Sequence, residues 1–215
     1  MNNKVIELNE KYNTEFTNKL MNNWDIFNEI YKACEFSFLK GCGSYLFDGT
    51  TYEYSNLMYE KQELLFNEVK TAHNVLEIGT YMGHSLFIML LSNPNLKITC
   101  VDIDDKYTGP SVKLLNKYFN NNITFIKKNS LEALNDITEK FDFFHIDGHH
   151  ENSYIEKEFN KIINLNNQNN NIFRVIFDDQ NCMEELQNKI EKHYKIIKKI
   201  LPNCKWNNVY YEIQL

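Results

Sequence analysis

The chain has 215 residues, 43% hydrophobic and 24% charged, which suits one globular domain, because cores generally divide only beyond ~250–300 residues. Its formal net charge of -6, with no block of lysine or arginine, lacks the basic footprint of a nucleic-acid binder and favours small-molecule partners. Five cysteines, odd in number and without CxxC spacing, argue against a disulfide framework or a structural zinc site; no apolar run approaches the ~18 residues of a membrane span. The opening MNNKVIELNEKYN has no apolar core of signal-peptide length, so a soluble cytoplasmic protein is expected. The asparagine runs at 120–122 and 169–171 read as compositional bias in loops.

Apolar residues recur at helical spacing from about Glu10 to Leu39, with Phe16, Leu20, Trp24, Phe27, Ile30 and Tyr31 on one face. This predicts one amphipathic helix, broken at most once. Three glycines and several aromatics without periodicity make 41–55 an ordered loop, and a second helix follows from Leu57 to about Lys70. Residues 1–56 are expected to form a helical cap or lid over a domain of residues 57–215, a plain packing role for the loop aromatics being equally open.

Beyond residue 73 short apolar runs alternate with helical patterns. The runs are NVLEIG (74–79), KITCVDI (97–103), ITFIKK (123–128), FDFFHID (141–147) and FRVIFDD (173–179). Helical spacing falls at about 84–92, 111–119, 131–138, 152–165 and 182–193. Strands apolar on both faces and separated by helices indicate a parallel sheet covered on both sides. KIIKKIL and NVYYEIQL, with no helix between them and a turn signal at Pro202, read as a closing antiparallel hairpin. The prediction is a doubly wound, Rossmann-like α/β fold with a mostly parallel seven-stranded sheet and an N-terminal helical cap.

In such a sheet ligands bind outside the carboxyl ends of the strands. The first end reads VLEIGTYMGHS, with Gly79 closing the strand and Gly83 opening a helix. A dinucleotide fingerprint would need glycine at 81 and 84, where Tyr81 and His84 stand, so a pyrophosphate-binding turn is disfavoured. The next strand ends in VDIDD, where Asp102 can accept from the ribose hydroxyls of a nucleoside-like cofactor. Asp147 closes the fourth apolar run, and Asp178 with Asp179 close the fifth. Neighbouring strands lie ~4.8 Å apart, so these carboxylates can converge, and a cation or protonation must relieve their repulsion. A hard divalent ion such as Mg²⁺ suits oxygen ligands. The competing reading makes these acids helix caps, which accounts for one acid per strand but not for a doublet. His150, three residues beyond Asp147, has the titration range of a general base. His145, inside the strand, reads as a satisfied core histidine.

The succession ExGTxxGxS, VDxD, NSLEAL, FDFFHIDGHH and IFDD resembles the class I S-adenosylmethionine-dependent methyltransferases. Among them it is most similar to the metal-dependent O-methyltransferases of the macrocin type, which act on macrolide sugar hydroxyls. The resemblance covers about residues 57–190. It implies that Glu77, Gly79, Thr80, Gly83 and Ser85 surround the methionine part of the cofactor, Asp102 holds its ribose, and Asn129 and Ser130 border its adenine, with Asp147 also at the cofactor. It further implies Mg²⁺ or a similar cation on Asp147, Asp178 and Asp179, and His150 as base. The family more often has aspartate where Asn129 and His149 stand, and a glycine pair common before the last parallel strand is replaced by residues 169–173.

The implied reaction moves a methyl group to a small-molecule hydroxyl, on a sugar or nucleotide sugar, or alternatively on a catechol or phenol. No nucleic acid or membrane partner is expected, and homo-oligomerisation is compatible with this reading. Two rivals stand beside it. One is a binding protein on the same fold without catalysis; the other is a nicotinamide-dependent oxidoreductase, disfavoured by Tyr81 and His84.

Overall fold

Where the sequence alternates apolar runs with helical patterns, the chain winds a seven-stranded sheet in the order β3-β2-β1-β4-β5-β7-β6. This computed structural model describes residues 3–166, 171–178 and 180–215. The parallel strands are β1 (Asn74–Ile78), β2 (Lys97–Asp102), β3 (Ile123–Lys127), β4 (Phe143–Ile146) and β5 (Ile172–Phe177). β6 (Lys195–Ile200) and β7 (Val209–Gln214) pair antiparallel, and β7 runs antiparallel to β5, which gives the expected closing hairpin. β4 is buried throughout, whereas the edge strand β6 is largely exposed and carries Lys195, Lys198 and Lys199. Charge on an exposed edge discourages pairing with another chain.

The strand period of two divides the apolar residues between two layers. Val75, Ile98, Phe143, Ile176 and Tyr210 join a cluster with the N-terminal helices and α5 (His84–Ser92). Leu76, Ile78, Phe144, Ile146, Val175 and Tyr211 face the other way. They pack with α7 (Ser130–Asp136), α8 (Asn152–Ile162) and α9 (Glu184–His193).

Where one helix, broken at most once, is expected from Glu10 to Leu39, the chain forms three over residues 3–33: α1 (Asn3–Tyr12), α2 (Glu15–Asn22) and α3 (Trp24–Ala33). Local chemistry makes the first break. Asn13 adopts φ 47°, and Thr14 forms a reciprocal capping box with Thr17 that starts α2. The second break falls at Asn23, whose side chain donates to Lys19 O at 2.9 Å. Helical periodicity survives both breaks because Val5 and Leu8 of α1 bury into the same layer as Phe16, Leu20, Trp24, Phe27 and Ile30. A short 3₁₀ turn, Asn56–Met58, then leads into α4 (Tyr59–Glu68). α6 (Asp105–Tyr118) begins earlier than its apolar pattern, at a cap in which Asp104 accepts from Lys106 N–H, and it carries Pro110 inside. No helix among the described residues is long and apolar enough to cross a membrane.

Candidate functional site

The carboxyl ends of β1, β2 and β4 open into a cavity of about 520 Å³, within the ordinary range for small-molecule sites. Its wall begins at the turn after β1. Gly79 has φ 79°, and a Cβ there would lie 1.9 Å from Asp147 O and 2.4 Å from its carbonyl carbon. Only glycine lets the ends of β1 and β4 approach so closely. The Asp147 N–H donates to Ile78 O at 2.7 Å, which fixes Asp147, half-buried, on the cavity wall. Thr80 and Ser85 line the cavity too. Gly83, with φ 72°, precedes α5 and packs toward Ser111 instead of the cavity.

Asp102 draws this turn onto β2. Its Oδ2 accepts from the N–H groups of Thr80 and Tyr81 at 2.9 and 2.8 Å, and from the Thr108 hydroxyl at 3.2 Å. Its Oδ1 accepts one protein hydrogen bond, from Asp104 N–H at 3.0 Å, so lone-pair capacity remains toward the cavity it lines. Asn129 caps α7: its Oδ1 accepts from Leu131 N–H at 3.0 Å and from the Tyr154 hydroxyl at 3.0 Å. Ser130 donates to Glu158 Oε1 at 2.5 Å. Glu158 is buried, its Oε2 has no hydrogen-bond partner, and burial pushes its carboxyl up to about 7. Tyr154 and Glu158 carried no signal in the sequence beyond helical spacing on α8.

Glu77 does not line the cavity. It is fully buried, with Oε2 accepting from the Thr80 hydroxyl at 2.8 Å and Oε1 lying 2.9 Å from His145 Nδ1. The parallel register sets Glu77 opposite His145 on the face that looks toward the N-terminal helices. His145 is therefore a partnered interior residue, and its Nε2 lies 2.8 Å from the Tyr45 hydroxyl. Tyr45 also receives a hydrogen bond from Asn208 at 3.2 Å and reaches Asp178 Oδ1 at 3.2 Å. Burial, with Asp178 and Asp147 nearby, raises the Tyr45 phenol far above its ordinary range.

Asp178 is the end of this buried row. Both its oxygens accept from Lys61 Nζ, at 2.9 and 2.8 Å, with the two side chains only 4% and 7% exposed. Lys61 Nζ stands 4.6 Å over the Tyr45 ring. The adjacent Gln62 donates to the carbonyls of Tyr45 and Ser55 and accepts from Tyr54, which pins α4 to the loop. Sequence reasoning missed Lys61, although it stands four residues before the buried Leu65 and so shares the core face of α4. A lysine on a core face implies a buried partner.

This placement bears on the expected metal. Asp147 lines the cavity, Asp178 lies behind it on a lysine, and Asp179 is outside the described residues. Among the described residues no group of three histidine, cysteine, aspartate or glutamate side chains could hold a metal ion. A divalent ion at Asp178 would face the Lys61 ammonium, and charges of +2 and +1 at 4 Å repel by about 8 kcal/mol at an effective dielectric of 20. Among the described residues, the donor set at Asp178, taken up by Lys61, does not fit a metal. Helix capping does not explain the two acids either, since Glu151 precedes α8 and Asp178 sits on Lys61.

His149 and His150 are both exposed and both line the cavity. His149 packs edge-on against the Tyr154 ring, 4.6 Å between centroids, with Nε2 3.7 Å from Glu151. From the loop side, Leu39, Cys42, Gly43 and Ser44 close over the same space, and Leu39 N–H donates to the Tyr81 hydroxyl at 2.8 Å. Like His145, His84 is buried, at the start of α5. Its Nε2 lies 2.8 Å from the Tyr52 hydroxyl, which donates to Phe27 O, and burial lowers its titration to about 3. Through Tyr52 it is a neutral pin between α3 and the start of α5.

Residues 76–179, just under half of the chain, match a family described as Methyltransferase domain. No curated protein matches the sequence significantly. Solved structures with the same fold include the cofactor-bound Rv0187 from MTB, 15% identical, with 88% of this chain and 89% of that one covered and a TM-score of 0.66. An O-methyltransferase from Bacillus cereus in complex with SAH is 15% identical over 89% and 91%, with a TM-score of 0.62. The O-methyltransferase TomG from Streptomyces achromogenes, involved in tomaymycin synthesis and solved with SAM, is 13% identical over 88% and 89%, with a TM-score of 0.65. Residues 76–179 thus resemble a methyltransferase domain, and the chain has the Rossmann-like fold of these solved structures, O-methyltransferases among them.

Proposed function

We propose that the chain is an O-methyltransferase that uses S-adenosylmethionine to methylate a hydroxyl of a small molecule, a sugar or nucleotide sugar by preference. The observation that carries this reading is the convergence of Gly79, Asp102, Asn129, Asp147 and His150 on one cavity wall. Asp102 would accept from the ribose, Asn129 and Ser130 would border the adenine, and the Gly79–Ser85 turn would hold the methionine part. The cofactor supplies an electrophilic methyl group when bound.

The protein's task is then to hold a hydroxyl oxygen in line and to remove its proton. An alcohol is a poor nucleophile at neutral pH, and His150, exposed on the same wall, serves as the base. The loop residues Leu39, Cys42 and Ser44 screen the space from water and fix the acceptor's orientation. No step is assigned to a metal.

Titration calorimetry with S-adenosylmethionine and its demethylated product tests the reading. Micromolar binding is expected. Binding of NAD in their place would convert the reading to an oxidoreductase, and binding of none would leave a scaffold without catalysis. Transfer of labelled methyl to a panel of nucleotide sugars and phenols then selects the acceptor.

A further inference from the structure

We infer that Lys61 takes, at Asp178, the place a divalent cation would hold, as a charge built into the protein behind the cavity. The inference rests on the methyl-transfer reading of the cavity, but its test does not.

The starting point is the strand period. Glu77 on β1 and His145 on β4 stand opposite each other, and Asp178 follows β5 on the same side of the sheet. Three polar side chains thus form a row beneath the N-terminal cap, and each must find partners there because unpaired buried polar groups are destabilising. Glu77 spends its oxygens on Thr80 and His145, and His145 spends its nitrogens on Glu77 and Tyr45. Asp178 remains. A carboxylate buried at this depth requires a cation, and α4 delivers one: Lys61 Nζ bonds both oxygens, at 2.9 and 2.8 Å.

Lys61 is no mobile surface lysine that a metal would displace at little cost. Its side chain is 4% exposed and stacks its ammonium over Tyr45 at 4.6 Å. The hydrogen bonds of its neighbour Gln62 to Tyr45, Tyr54 and Ser55 hold its helix in place. Asp178 already accepts from the Lys61 ammonium on both oxygens and from Tyr45 on one, so a second cation would meet an ammonium there. Lys61 is accordingly a positioning residue: through Tyr45 and His145 it stiffens the end of β4, which carries Asp147, beside the end of β5.

Mn²⁺, which is read directly by electron paramagnetic resonance, decides the matter without knowledge of the acceptor. The full chain is titrated as wild type and as Asp178→Asn, Asp147→Asn and Lys61→Met. The wild type should deplete free Mn²⁺ no more than either aspartate variant does. Lys61→Met, which leaves Asp178 without its cation, should bind Mn²⁺ at least about tenfold tighter than wild type, and adding Asp178→Asn should erase the gain. One Mn²⁺ bound by the wild type and lost in Asp178→Asn or Asp147→Asn overturns the inference. So does a folded Lys61→Met that gains no binding. Should Lys61→Met fail to fold, the wild type against Asp147→Asn decides alone. Calorimetry with S-adenosylmethionine reports separately on the methyl-transfer reading, so a failure there leaves the Mn²⁺ result standing.

Discussion

The glycine turn after β1 and the Asp178 corner lie at the same edge of the same sheet, yet they are held by different means. At the turn, backbone does most of the holding: the Thr80 and Tyr81 N–H groups meet Asp102, and Gly79 meets the Asp147 carbonyl with no side chain between. At the corner, side chains from four separate segments converge, with Lys61, Tyr45, His145 and Asn208 reaching Asp178 directly or through Tyr45. A turn built on backbone leaves a mark in a short stretch of sequence, because glycine is demanded at a given place. A corner built on side chains leaves no such local mark, because Lys61 and Tyr45 lie 117 and 133 residues from the Asp178 they meet.

The contrast can be broken most sharply at Gly79. Gly79→Ala places a methyl 1.9 Å from Asp147 O in a left-handed conformation, and the strand ends must separate. A loss of about 4 kcal/mol or more is expected, with cofactor binding abolished. Denaturant unfolding and calorimetry check this, and a variant of wild-type stability would mean that β1 and β4 do not meet as described.

At the corner, Lys61→Met strands a buried carboxylate and should lower stability by about 3–5 kcal/mol, while Lys61→Met/Asp178→Leu, which removes both charges, should recover most of it. Urea titration of the two variants side by side makes the comparison. Equal losses would show that packing of the lysine stem, and not its charge, is what α4 contributes.

Between the two regions stand the histidines. His150→Ala should reduce turnover by about 10²–10⁴ with cofactor affinity little changed, and His149→Ala should cost far less, since its ring packs on Tyr154. Once an acceptor is known, steady-state kinetics across pH will tell, the His150→Ala deficit shrinking as pH rises. An exchange of the two outcomes would move the base one residue back.

The smallest effect concerns Glu158, beside the Asn129 end of the cavity. Its carboxyl, raised from an ordinary 4.5 to about 7 by burial, keeps a proton in the folded chain that the unfolded chain has released between those values. The folded state binds more protons there, so stability falls as pH rises from about 4.5 to about 7 and then levels off. Glu158→Gln should match wild type below that window and exceed it above by up to about 3 kcal/mol. Thermal melts from pH 4 to pH 8.5 suffice to see it. Parallel curves for the two proteins would show that Glu158 ionises normally.

Much of the architecture was legible because it rests on local periodicity. Alternating runs from residue 74 onward predict the parallel strands, and KIIKKIL with NVYYEIQL predicts the hairpin, each within a residue or two of the observed ends. The N-terminal region misled for an equally local reason. Apolar spacing at Phe16, Leu20, Trp24 and Phe27 continues across Asn23, and spacing alone does not distinguish one helix from several that share a core.

At the site, Gly79, Asp102, Asp147 and His150 could be picked out because strand ends are where a doubly wound sheet binds ligands, and these residues sit at strand ends. What the order of residues determined by itself was therefore the sheet, its connections and the acids and glycines at its rim. Only the tertiary structure decided that Glu77 turns inward to His145, and that the cation beside Asp178 is Lys61 from a helix outside the parallel-sheet pattern. The physical reason is that burial of charge is settled by what other segments bring within about 3 Å, a distance that sequence separation does not encode.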